Sequence, residues 1–263
     1  MITVQTIIGY VESLSGHPLN RDEGVHHGSA ERPLTGALLC WMATTHALAQ
    51  AGAAGVELVI AHESLYYPYG ALPGQAEPAG WEEWPTNRLR RELLQRHNLT
   101  LLRVHGSLDE ICILDDFAAL LGLGQPVEAE PGLVKVYEIA PRPLAELVAQ
   151  VKERVGMPAV RVSCPQGLGQ IVHRVGLPWG GLGLFVNVGY QQKLIAKGCD
   201  VFIAGEADDY GFRFSAECGI PMIETGHDVS ENPGLEHFAQ MLRARFPELN
   251  VLFYACPPSW QVV

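Results

Sequence analysis

Four apolar runs of strand length in this chain each end in a histidine or a carboxylate. Val59-Ile60-Ala61 leads into His62-Glu63, and Leu102-Arg103-Val104 leads into His105 and Asp109. Phe202-Ile203-Ala204 leads into Glu206, and Met222-Ile223-Glu224-Thr225 leads into His227 and Glu231. Helix-like stretches separate such runs. The alanine-rich residues 44–54, stopped by Gly55, lie between apolar runs at 38–41 and 56–61. Strand, helix, strand at this spacing is a βαβ unit, which predicts a parallel sheet there. Ligands of open parallel sheets gather beyond the carboxyl ends of the strands. The pattern therefore predicts an α/β fold whose chemistry stands at those ends.

The rest of the chain follows the same alternation. Residues 87–97, 115–121, 144–155 and 191–197 read as helices, and 99–104, 134–139, 159–162, 172–175, 200–204 and 251–255 as strands. Residues 3–11 read as a possible strand, and 20–28 as a polar loop carrying the His26-His27 pair. Residues 66–85, rich in Pro, Gly, Tyr and Trp, read as an ordered excursion. The Pro-containing acidic stretch 124–131 is the expected break between two lobes, residues 1–126 and 127–263. Glycine-rich 178–183 lacks both Gly-x-Gly-x-x-Gly and Gly-Lys-Ser, so it reads as a turn near the site and not a nucleotide loop.

Composition narrows the function. A net charge of −11 argues against nucleic acid and anionic membranes as partners, since both reward a basic surface. No apolar stretch reaches bilayer-spanning length, and the first residues carry no basic, apolar leader. The six cysteines include no Cys-x-x-Cys pair, which predicts a reducing, cytoplasmic setting and metal ligation by nitrogen and oxygen.

Imidazole and carboxylate together suit Zn, Mn, Fe or Ni, and bridging carboxylates suit a pair of ions. The 227–231 stretch taken alone also suits an ordinary capped loop. A paired-carboxylate glycosidase site would leave the histidines without a role, and a serine hydrolase lacks its Gly-x-Ser-x-Gly elbow.

In order and spacing, Ile60-Ala61-His62-Glu63-Ser64-Leu65, Val104-His105-Gly106-Ser107-Leu108-Asp109, Ala204-Gly205-Glu206 and Thr225-Gly226-His227-Asp228-Val229-Ser230-Glu231 resemble the motifs of the Nif-three-like family (NGG-one-interacting factor three). Some members of that family are labelled GTP cyclohydrolase type two-like. The resemblance runs from about residue 20 to residue 246. It implies two related α/β lobes with mixed or mostly parallel sheets and a metal site in the cleft between them. It further implies a centre of two divalent ions (Zn, Fe, Mn or Ni) held by His62, Asp109, His227 and Glu231, with Asp109 and Glu231 as bridging candidates. Glu63 stands where the family has a second histidine and is carried as a ligand of harder character. His105, beside the site, and Glu63 are the candidates for moving protons.

Two further departures alter the pocket wall: Pro178-Trp179-Gly180-Gly181 and Asp208-Asp209-Tyr210 replace the family's usual turns. The implied activity is metal-dependent hydrolysis of a nucleotide or related small molecule, and the implied assembly a homohexamer. A non-catalytic metal-binding or regulatory role is the alternative.

Overall fold

The computed structural model describes residues 1–68, 77–257 and 259–260. Its fold is mixed α/β, with two sheets of mixed strand orientation. In chain order the first elements are α1 (Val4–Ser15), β1 (Gly24–His27), β2 (Gly36–Cys40), α2 (Thr45–Ala54), β3 (Leu58–Ala61), α3 (Pro85–Arg96), β4 (Thr100–Arg103) and α4 (Gly106–Leu108). A π-helical turn, Asp109–Ile113, joins α4 to α5 (Leu114–Leu120). There follow β5 (Glu128–Glu130), β6 (Val134–Pro143), α6 (Leu144–Val155), β7 (Arg161–Ser163), β8 (Ile171–Gly176), α7 (Val188–Ala196), β9 (Val201–Ala204) and α8 (Asp209–Glu217). The last are β10 (Met222–Glu224), α9 (His227–Arg245) and β11 (Asn250–Tyr254).

The chain divides into two compact units, Met1–Cys112 with Leu235–Cys256, and Ile113–Gly234 with Pro257–Val263. The first holds a five-stranded sheet in the order β1-β4-β3-β2-β11. Its strands β11, β2, β3 and β4 are parallel, and β1 closes the edge antiparallel to β4. The expected βαβ unit is β2-α2-β3: Thr44 caps the helix through its side chain, and Gly55 ends it in the left-handed region. The C-terminal strand β11 therefore belongs to the first unit, joined by Asn250 bonding to Thr35 O.

The second unit holds a six-stranded sheet in the order β5-β6-β8-β9-β10-β7. Here β8, β9 and β10 are parallel, and β5, β6 and β7 run antiparallel to their neighbours. Alternation along β6 sends Val134 and Val136 into a core with Leu194, Phe202 and Met222. Each fully buried side chain of this size contributes about 1.5–3 kcal/mol.

Two local expectations are corrected, and a third stretch is more ordered than its composition suggests. Residues 3–11 form helix α1, not a strand: Thr3 caps it, and Val4, Ile7, Ile8 and Val11 recur at the helical period and are buried. The polar loop at 20–28 contains edge strand β1, which takes its partner from β4 and not from local pattern. The break at 124–131 contains β5, paired with β6. Of the excursion at 66–85, residues 69–76 lie outside the described residues. Its end is a 3-10 turn, Trp81–Glu83, running into α3. Among the described residues no helix is long and apolar enough to cross a membrane.

Candidate metal centre

In the first unit two adjacent parallel strands deliver the chemistry. Ala61 on β3 is in register with Arg103 on β4, so the residues just past each strand lie side by side. Val104 N bonds to Ala61 O at 3.0 Å, and His62 Nδ1 lies 3.2 Å from Val104 O. A carbonyl only accepts, so Nδ1 carries the proton and Nε2 is the ring's lone-pair nitrogen. His62 is fully buried, and its Nε2 lies 3.9 Å from Asp109 Oδ1. Two donors about 2.0–2.2 Å from one cation stand at most about 4.4 Å apart. That spacing therefore suits a shared ion. His62, Glu63 and His105 form a second group, whose ligand atoms all lie within 4.8 Å of one another. Glu63 is buried at 4% exposure.

His105 is held from behind. Its Nδ1 lies 3.1 Å from Asp22 Oδ2, and the same carboxylate pairs with Arg103 at 2.9 Å. The Arg103 guanidinium also donates to His62 O. Burial pushes the His105 pKa below its ordinary value, so the ring is neutral near pH 7.

Glu23 was not singled out in the sequence, yet it organises this end of the sheet. Its carboxylate accepts from His105 N at 2.6 Å, Ser107 N at 2.8 Å, Ser107 Oγ at 2.6 Å and Asn20 N at 2.6 Å. It thereby caps the turn that leads to Asp109. Burial alone would raise its pKa, but the hydrogen bonds from Ser107, Asn20 and His105 outweigh it, and the folded value falls below the ordinary 4.5. A depressed carboxylate stabilises the fold fully above its unfolded pKa, and that contribution is lost as pH falls through the folded value. Glu23→Gln is therefore expected to lower stability by about 1–2 kcal/mol at pH 7. The gap to wild type should close on acidification, as read by urea unfolding between pH 7 and pH 3.

The second unit repeats the arrangement with three strand ends. Past β9 comes Gly205-Glu206, past β10 Thr225-Gly226-His227, and past β8 the turn Leu177-Pro178-Trp179-Gly180. Backbone bonds tie them together: Gly205 N to Pro178 O, Glu206 N to Gly180 O, and Gly226 N to Gly205 O at 2.7 Å. His227 opens α9 itself, and Glu231 follows one helical turn later. The i,i+4 spacing puts both on one face, with Nε2 and Oε1 3.3 Å apart. His227 Nδ1 donates to Glu206 Oε2 at 3.0 Å, which in the neutral ring makes Nε2 the nitrogen that can ligate. Glu231 is 3% exposed, whereas Glu206 is 46% exposed at the rim.

Gly180 completes this end. Its φ is +52°, and Ser230 Oγ accepts from its amide at 2.9 Å. A side-chain carbon at Gly180 would stand 2.1 Å from Glu231 Oε1 and 3.2 Å from His227 Nε2. The glycine-rich turn is thus a wall against two predicted ligands. Asp228, beside them, has its pKa raised by burial.

The donor sets fit divalent cations: lone-pair imidazole nitrogens set by their second nitrogen's partner, buried carboxylates, and a wall that only glycine permits. Glu206, which orients His227, is expected to matter without ligating. Glu206→Gln should weaken metal affinity about 10–100-fold, as read by competition with a chelating dye, and leave thermal stability near wild type.

Residues 2–258 match the family described as Duf34/NIF3 (NGG1p interacting factor 3). A Pseudomonas aeruginosa protein called GTP cyclohydrolase 1 type 2 homolog is 28% identical over 176 residues, which span 64% of this chain and 66% of that protein. A Clostridium perfringens protein of the same description is 23% identical over 257 residues, 91% of this chain and 90% of that one. Among solved structures, the Staphylococcus aureus hypothetical protein SA1388 superposes with a TM-score of 0.78 at 16% identity, over 99% of both chains. A Bacillus cereus protein related to NIF3 superposes at 0.78 and 15% identity, over 100% of this chain and 99% of that one. These likenesses carry the fold, and the match across nearly the whole length carries the kinship: the chain belongs to the Duf34/NIF3 family.

Proposed function

We propose that this protein is a metal-dependent hydrolase of a nucleotide or related small molecule. Two divalent ions would be held by His62, Glu63 and Asp109 in the first unit and His227 and Glu231 in the second. One observation carries this reading. Each of the two histidines commits Nδ1 to an oxygen acceptor and turns a lone-pair Nε2 towards a carboxylate, at 3.9 Å in one case and 3.3 Å in the other. Bound there, two divalent cations would supply Lewis acidity and activate water. The protein's own part is to fix the donors and move the proton. His105, neutral and held by Asp22, is placed to accept it, and Glu63 is the second candidate. The nucleotide assignment draws on the description of the P. aeruginosa and C. perfringens relatives.

Elemental mass spectrometry of purified and Zn-, Mn- or Fe-reconstituted protein tests the centre. About two equivalents per chain support it, and none after reconstitution removes it. The reaction is tested by a hydrolysis screen of the loaded protein across nucleotides, esters and amides. Glu63 in the place of a histidine favours a second reading, metal binding without turnover, because its extra negative charge weakens the Lewis acidity of a neighbouring ion. Full metal content with silence across that screen would select this alternative.

A further inference from the structure

A second site stands in the second unit, built from α5 and β6 and independent of the residues above. Side chains alternate along β6, so Lys135 and Tyr137 share the face opposite Val134 and Val136 and look towards α5. Between them and α5 is a cavity of about 220 Å³, lined by Asp115, Ala118, Leu123, Pro126, Lys135 and Tyr137. Tyr137 is 1% exposed, and its buried hydroxyl has no hydrogen-bond partner among the described residues. Leaving such a group unsatisfied costs about 1–3 kcal/mol, and the choice of tyrosine over phenylalanine calls for an acceptor that the protein itself does not provide. Burial, and then the charge of Asp115, raise the Tyr137 pKa, so the hydroxyl stays a donor throughout the physiological range.

The mouth carries both signs of charge. Lys135 Nζ pairs with Asp115 Oδ1, with Lys135 19% and Asp115 58% exposed. A half-exposed pair of this kind contributes little, so a ligand presenting the complementary charges can open it. Behind the pair the wall is apolar, formed by Ala118, Ala119, Leu123 and Pro126. At about 30 Å³ per water the cavity holds the volume of some seven waters, which is below the usual range of nucleotide-sized sites.

We propose that this cavity binds a free α-amino acid with a short apolar side chain. The carboxylate would be received by Lys135 Nζ and the Tyr137 hydroxyl, the ammonium by Asp115, and the side chain by the Ala118–Leu123–Pro126 wall.

The test is isothermal titration of the full-length protein with L-leucine, L-valine, L-leucinamide and 4-methylpentanoate, against wild type and Tyr137→Phe. Saturable 1:1 binding of L-leucine or L-valine is expected. It should weaken at least about tenfold in Tyr137→Phe and for the two analogues, each of which lacks one charged group. Because the substitution removes an unsatisfied hydroxyl, the variant's unfolding temperature should equal or exceed that of wild type, and its metal content should not change. No binding of either amino acid at millimolar concentration would overturn the proposal, as would equal affinity in wild type and variant. Should Tyr137→Phe fail to fold, Lys135→Met decides the same point. Since the cavity lining shares no residue with the proposed metal ligands, failure here leaves the dinuclear centre standing, and the converse holds.

Discussion

In the Asp109→Ala/Glu231→Ala double variant, bound metal is expected to fall from about two equivalents per chain to near none, and any turnover with it. The reason is the donor inventory. Asp109 Oδ1 faces His62 Nε2 at 3.9 Å and Glu231 Oε1 faces His227 Nε2 at 3.3 Å, so the double substitution removes one anionic partner from each histidine. Neutral imidazoles that remain would hold a divalent ion weakly without the carboxylates that offset its charge. Elemental mass spectrometry and circular dichroism on the same samples check it: metal lost with the fold intact supports the assignment, and metal retained refutes it. An intermediate outcome, one equivalent in wild type and none in the variant, would say that Glu63 has weakened one of the two positions.

The second large effect is expected from Gly180→Ala. Two separable penalties act. Alanine at φ +52° is strained by about 1–2 kcal/mol. Its methyl group would also stand 2.1 Å from Glu231 Oε1, so the buried carboxylate must move. Gly167→Ala isolates the first penalty, because Gly167 has φ +80° with nothing within 4 Å of the added carbon. Both variants should lose a few degrees of unfolding temperature. Only Gly180→Ala should lose metal, through displacement of Glu231 and crowding of His227. Equal metal content in the two variants would show that the turn is a structural corner without influence on the site.

Much of this could be read in the linear chain, for an identifiable reason. Runs such as 58–61 and 201–204 are buried at every position, so they appear as uninterrupted apolar blocks, and the residues at their ends announce the site. The histidines and acids at 62, 109, 227 and 231 were visible because they follow such blocks. Helix α1 was not, because residues 3–11 are short, apolar and β-branched enough to suit either period, and its burial on one face is set by packing against the rest of the unit. Strand β1 escaped because its stability comes from β4, some eighty residues away. The same distance hid Glu23, whose four hydrogen bonds include three to His105 and Ser107. Gly180 and Ser230 meet across fifty residues, and no local spacing rule connects them. The proposed ligands stand in short motifs, whereas the side chains that shape their surroundings come from wherever the fold brings them.

The complete burial of β2, β3, β4 and β9 has a consequence for how such a protein changes over generations. Every position of those strands answers to neighbours on two faces, so little substitution is tolerated there. The residues just past the strand ends are set by individual loop contacts and not by the ladder, as His62 is by Val104 O and Glu206 by Gly180 O. A change of side chain at Glu63 is therefore expected to alter the chemistry of the candidate site while the register of β3 and β4 stays as it is. Chemistry and architecture are then separable in this fold, so that a substitution past a strand end can alter one and leave the other as it is.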